Sequence, residues 1–173
     1  IDADRELCTY PGILALLLAA TSLLSKRSEV DPQRLGALGH DLGGDLVIRG
    51  ASAHSEIKAI VALAPVLLEP PVGLDLLREM SYGQALQWSH DQRRVKLRTD
   101  LDAFKFVARI APRPLLLVYG AEDRLVTMPP LNQLDAHDAD SIHSEVIPGS
   151  GHRDLVRQPM AIRAAIQWFK AHL

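Results

Sequence analysis

The sequence predicts an α/β fold, a parallel sheet with helices on both faces. Three observations predict it. Unbroken apolar runs of strand length occur at Ala59 to Ala64 and at Leu115 to Tyr119, stopped by Pro65 and Gly120. Runs without polar alternation suit strands covered on both faces, as in parallel sheets. Helical patterns alternate with these runs, which calls for right-handed crossovers. Finally, Gly39-His40-Asp41-Leu42-Gly43-Gly44 lies between a short apolar run and a helix-like segment, and so reads as a sharp strand–turn–helix junction.

From the N-terminal side, residues 10 to 27 read as a helix. Pro11 suits its first turn, Thr9 its cap, and Lys26 and Arg27 its C-terminal dipole. Apolar residues (Ile13, Leu14, Leu16, Leu17, Leu18, Leu23, Leu24) cover more than one side, so the helix is expected to be largely buried. Val30-Asp31-Pro32 makes a turn, and Arg34 to Gly39 is a strand entering the junction. A helix then runs to about His54. Ala59 to Ala64 is the second strand, Leu115 to Tyr119 the third, and Ser144 to Ile147 a weaker fourth, ended by Pro148-Gly149. Pro129 to Ala136 and Met160 to Leu173 are helical, the latter with Ile162, Ala165, Ile166 and Phe169 on one side. Residues 66–113 break the alternation. Short helices are expected at Leu74 to Met80, Tyr82 to Trp88 and Leu101 to Arg109. A long insertion after a sheet strand reads as a lid. The chain thus divides into 1–65, the part carrying the junction; 66–113, the insertion; and 114–173, the rest of the core.

Composition narrows the function. The 173 residues are 47% apolar and 23% charged, with net charge −2, enough for one domain with a sizeable core. Near-neutral charge gives no reason to expect nucleic acid or a membrane surface as partner. Ile13 to Leu24 is too short to span a bilayer and has Asp2, Asp4 and Glu6 before it rather than basic residues. Cys8 is the single cysteine, so there is no disulfide framework; it reads as a small apolar residue. A soluble protein is expected, with the cytoplasm favoured. Beginning at Ile1, inside what reads as mid-domain sequence, the chain is expected to be a fragment or a processed form.

Candidate chemistry sits just beyond the carboxyl ends of the strands, where open α/β sheets bind ligands. Asp41 is at the tip of the junction. Asp123 follows the third strand in Ala121-Glu122-Asp123-Arg124, and His152 follows the fourth in Gly149-Ser150-Gly151-His152. A junction residue, then an acid, then a histidine is the chain order of an α/β-hydrolase triad.

From about Tyr10 onward, the chain resembles the C-terminal half of an α/β-hydrolase. Three motifs carry the resemblance: residues 30–44 through GHDLGG, Pro114 to Asp123, and Gly149 to His152. The surroundings of residues 30–44 are similar to the dienelactone-hydrolase and prolyl-oligopeptidase-like branch, whereas GHDLGG itself looks like the elbow of soluble epoxide hydrolases. The resemblance implies catalytic roles for Asp41, Asp123 and His152 and an oxyanion-stabilising backbone N–H on Leu42. It implies a small-molecule substrate and no metal or organic cofactor. Members of the family have further strands before the elbow strand, and one loop there completes the oxyanion hole. The elbow strand is therefore expected to have an open edge, covered by an N-terminal half of the same protein or by self-association.

Asp stands where the common motif has Ser. A carboxylate attacking an ester carbonyl gives an anhydride, a poor intermediate. On saturated carbon it gives an ordinary alkyl ester, which suits an epoxide. His152 would then activate the water that hydrolyses this ester, oriented by Asp123. Other readings stay open. Asp41 is an altered nucleophile in a former Ser or Cys esterase, lactonase or peptidase-like enzyme, inactive or ligand-binding; or an engineered change; or a plain helix cap. Haloalkane dehalogenases rank low because Leu42 stands where they carry Trp. Epoxide hydrolases have two lid tyrosines, and the insertion has only Tyr82. His40, Tyr82 and Trp88 are candidate pocket residues. Ser89-His90-Asp91 cannot form a triad from adjacent side chains, and Asp135, His137, Asp138, Asp140 and His143 match no metal-ligand spacing.

Overall fold

The computed structural model describes residues 10–65, 106–124, 126 and 141–173. The described elements are α1 (Tyr10–Leu24), β1 (Gly36–His40), α2 (Leu42–Ala53), β2 (Ala59–Leu63), β3 (Leu115–Gly120), β4 (Ile142–Ile147) and α3 (Pro159–His172), with single 3-10 turns at Pro32–Arg34 and Leu155–Arg157. Most of the insertion, and the helix expected at 129–136, lie outside the described residues.

All four strands are parallel, in the order β1-β2-β3-β4. Every residue of β2 is buried, as its unbroken apolar run requires. Successive residues of β1 point to opposite sides, and the glycines show what covers each. A side chain on Gly39 would strike the backbone of Gly43 at the start of α2, and one on Gly36 would strike Phe169 of α3. Helix α2 therefore covers one face of the sheet and α3 the other.

Three boundaries differ from the sequence reading. Ser25 still donates to the Thr21 carbonyl, but Lys26 and Arg27 bond only three residues back, so α1 tightens and ends at Leu24 rather than at residue 27. The Asp31 carboxylate accepts the Gln33 N–H at 2.9 Å and winds 32–34 into a 3-10 turn, which delays the strand to Gly36. Strand β4 starts at Ile142, two residues before the run recognised in the sequence. Its exposed His143 and half-buried Ser144 and Glu145 interrupt the apolar signal.

Helix α1 is not largely buried. Ile13, Leu14 and Leu17 pack against the core, while Leu16, Leu23 and Leu24 are 47%, 64% and 46% exposed. The helix lies outside α2, where Leu17 meets Gly50, so only one of its sides finds a partner among the described residues. No described helix is long and apolar enough to cross a membrane.

The C-terminal end of α2 is held by an arginine from a distant loop. Arg113 donates to the carbonyls of Ala51 (2.6 Å), Ile57 (2.8 Å) and His54 (2.9 Å). These are carbonyls that a helix end and the turn after it leave without intrahelical donors. The guanidinium therefore fastens α2 to the start of β3. We expect Arg113→Ala to lower unfolding free energy by about 2 kcal/mol or more, read by urea denaturation, because several charge-assisted bonds go at once. Arg113→Lys should recover only part, since an ammonium lacks the planar fork.

Candidate active site

The junction between β1 and α2 holds Asp41 at φ 57, ψ −123, a positive φ that a side-chain-bearing residue adopts only when its surroundings impose it. Its N–H donates to the Leu63 carbonyl (3.0 Å), and its own carbonyl accepts from the N–H groups of Gly44 (2.9 Å) and Asp45 (3.2 Å). Gly39 makes the turn sterically feasible, because a Cβ there would lie 2.0 Å from the Gly43 carbonyl oxygen. The Asp41 carboxylate makes no capping bond to α2, which removes the helix-cap reading of this side chain. Leu42 opens the helix, and a first-turn N–H there has no intrahelical acceptor.

The acid and the histidine come from the next two strand ends. Asp123 is buried in the turn after β3. Its Oδ1 accepts the Val126 N–H at 2.8 Å, and its Oδ2 is 2.8 Å from His152 Nδ1. The loop bearing His152 is pinned against the same turn. Ala121 N–H donates to Ile147 O at 2.9 Å and Glu122 N–H to Ser150 O at 2.8 Å. The approach is so close that a Cβ on Gly120 would lie 2.3 Å from the Ser150 carbonyl oxygen. The other face of the imidazole's reach is the elbow: His152 Nε2 is 3.4 Å from Asp41 Oδ1, with both side chains buried. The structure thus brings Asp41, His152 and Asp123 together in line. His40 joins them, its ring centroid 5.2 Å from that of His152 and its Nε2 2.9 Å from the His152 carbonyl oxygen. Tyr82 and Trp88 lie outside the described residues.

Sequence reasoning missed three supports. The Val126 bond to Asp123 and the His40 bond to the His152 backbone join residues that no local pattern links. The third had a signal: Asp45 and Arg49 are four apart on α2, and they form a fully buried pair at 2.8 Å. Arg49 also lies over the Phe106 ring, 4.4 Å from its centroid.

Burial alone would push the His152 imidazole down, but hydrogen bonds to Asp123 and Asp41, with their charges, overcome it and raise the pKa to about 9. The imidazole is therefore a cation at neutral pH. His40 goes the other way: burial and the neighbouring His152 charge lower it, against the opposing bond to the His152 carbonyl, and keep it neutral. Burial and the Asp123 charge raise the Tyr119 hydroxyl, which stays protonated.

The raised His152 value has a stability consequence. Because the folded pKa lies above the unfolded 6.5, its contribution is fully present below about pH 6.5 and is lost as pH rises through about 9. We expect denaturant-measured stability to fall across that window in the native protein. In His152→Gln the part of the fall due to this residue should be absent.

No family model matches the chain. Two proteins of Mycobacterium tuberculosis strains, both described as uncharacterized, are 29% identical to it over 145 residues. That alignment takes in 83% of the chain and 46% of each relative, so the chain spans about half the length of the curated relatives it matches. Among solved structures, the α/β hydrolase GrgF from Penicillium sp. sh18 matches with TM-score 0.64 at 15% identity, over 95% of the chain and 72% of that structure. The acetyl xylan esterase from Paenibacillus sp. R4 matches with TM-score 0.61 at 21% identity, over 95% of the chain and 53% of that structure. The glucuronoyl esterase from Solibacter usitatus matches with TM-score 0.66 at 14% identity, over 94% of the chain and 48% of that structure. With its parallel sheet, its sharp turn after β1 and these neighbours, the chain has the α/β-hydrolase fold, represented in part.

Proposed function

We propose that the chain carries the reacting residues of a hydrolase that opens an epoxide, or a similar carbon electrophile, through an alkyl ester on Asp41. The observation that carries this reading is the Asp41 carboxylate itself. It stands at the tip of a positive-φ elbow, takes no part in capping α2, and lies 3.4 Å from His152 Nε2.

The steps balance as follows. An oxygen of the Asp41 carboxylate attacks a ring carbon, the carbon–oxygen bond of the epoxide breaks, and the ring oxygen takes a proton from the His152 imidazolium. Asp41 is then a neutral ester and His152 a neutral base. Losing the Asp41 charge removes one of the causes that raise His152, so the proton leaves more easily at the step that needs it. His152 Nε2 next takes a proton from water, which adds to the ester carbonyl. The tetrahedral intermediate, its oxyanion facing the Leu42 N–H, breaks its bond to the alkoxide, which takes the proton of the intermediate's hydroxyl and leaves as the diol, so the Asp41 carboxylate and the His152 imidazolium are restored. Asp123 holds Nδ1 throughout.

A second reading keeps the scaffold and changes the chemistry: an esterase, lactonase or peptidase-like ancestor whose Ser or Cys has become Asp, leaving a silent or ligand-binding protein. The esterases among the structural neighbours favour it. For either reading, we place the remaining strands of the hydrolase sheet along β1. This edge is open among the described residues, and beside it Leu38, Ile162, Ile166 and Phe169 line an apolar groove of about 340 Å³.

Single-turnover reaction with styrene oxide, followed by peptide mass spectrometry, separates the readings. In a rapidly quenched single turnover of the native protein, an adduct equal in mass to the epoxide should appear on Asp41. In the native protein in ¹⁸O water, the label should enter Asp41 before it enters the diol. No adduct and no label, together with aryl-ester hydrolysis gained in Asp41→Ser, would replace the first reading by the second. For an active epoxide enzyme, Asp41→Asn should cost roughly a thousandfold or more in kcat, the scale of losing a nucleophile.

A further inference from the structure

The position of His152 along the line between Asp123 and Asp41 needs an explanation. The residue follows Gly149-Ser150-Gly151, a loop with little stiffness of its own. The bonds that fix this loop from the β3 side are all short: Ala121 to Ile147, Glu122 to Ser150, and Asp123 to the imidazole itself, between 2.8 and 2.9 Å. They hold the imidazole toward Asp123. Its distance to Asp41 is longer, 3.4 Å, and the elbow lies on a different strand.

One bond described here spans from the elbow strand to the backbone of this loop. His40, the last residue of β1 and the neighbour of Asp41, places its Nε2 2.9 Å from the His152 carbonyl oxygen. A carbonyl can only accept, so Nε2 carries the proton and Nδ1 does not. The half-buried ring leans on the imidazole it serves, centroid to centroid 5.2 Å at 37°. We propose that His40 is a positioning residue: by donating Nε2–H to the His152 carbonyl, it sets the reach of the His152 imidazole to the residue at the elbow tip. Because His40 and Asp41 are adjacent on one rigid strand end, the bond transfers the position of the elbow directly to the base. This rests on the proposed role of His152 as base, but the contact itself does not depend on which substrate is used.

The test begins with the native protein. Imidazole ¹⁵N NMR should find His40 as the Nε2–H tautomer; an Nδ1–H tautomer would overturn the proposal, since that ring has nothing to donate from Nε2. Variants then read the effect on His152. His40→Gln, whose amide nitrogen can reach the same carbonyl, should keep the His152 titration midpoint near the native value. His40→Leu should lower it by about half a unit or more, because a looser Asp41 contact stabilises the imidazolium less. His40→Asn, shorter but polar, should fall with Leu and serves if Leu disturbs folding. Equal midpoints in native, Gln, Asn and Leu proteins would overturn the positioning role. Labelling of Asp41 by styrene oxide is followed in the same set, with slowing of about tenfold expected in Leu and Asn and rescue in Gln, the scale of a small misplacement near the reacting atoms. No labelling in any of them, with the midpoints still separated, would sink the epoxide reading and leave the role of His40 standing.

Discussion

A single imidazole held between two carboxylates is the interaction on which the rest of this structure depends. Burying two carboxylates side by side is costly unless a cation lies between them. His152 supplies that cation, with Asp123 on Nδ1 and Asp41 beyond Nε2. The arrangement also shows how Asp fits where such elbows commonly carry Ser. A hydroxyl, a neutral imidazole and one carboxylate sum to one negative charge. Two carboxylates and an imidazolium sum to the same. With a proton on His152, a site with Asp at this position therefore buries no more net charge than one with a hydroxyl there.

Around that trio, the protein spends its rigidity at the carboxyl ends of the strands. Asp41 and Ala64 both have positive φ, and their N–H groups donate to Leu63 and Val118 on neighbouring strands. Gly39 lets the elbow turn back against α2, and Gly120 lets the His152 loop lie against the end of β3. The elbow helix is fastened along its length, by the Asp45–Arg49 pair beneath Phe106 and by Arg113 at its far end. A buried ion pair of this kind is weak testimony for stability. Its plainer effect is geometric, because α2 cannot rotate without separating Arg49 from the aromatic ring.

The sequence made part of this legible, for identifiable reasons. Strands β2 and β3 were visible because they are apolar on both sides, and the elbow because Gly39, Gly43 and Gly44 flank a polar residue between strand and helix. Asp123 and His152 could be located because they fall in the short loops just beyond the ends of β3 and β4. The start of β4 was hidden because exposed His143 and half-buried Ser144 and Glu145 interrupt its apolar signal. The exposure of α1 was misread because apolar content does not say how many sides have a partner. The bonds of Arg113 and His40 were beyond reach, since they join residues 56 to 62 and 112 positions apart.

The three residues of the trio come from the ends of β1, β3 and β4, whose register is set by direct pairing through β2. The long insertion enters after β2 and the chain returns at β3, where Ile60 is already aligned with Leu115. Whatever the insertion's length or composition, that alignment is made in the sheet itself. The alignment of the trio and the insertion are therefore written in separate parts of the chain. A lineage could exchange one insertion for another without shifting the strand ends that bring Asp41, Asp123 and His152 together.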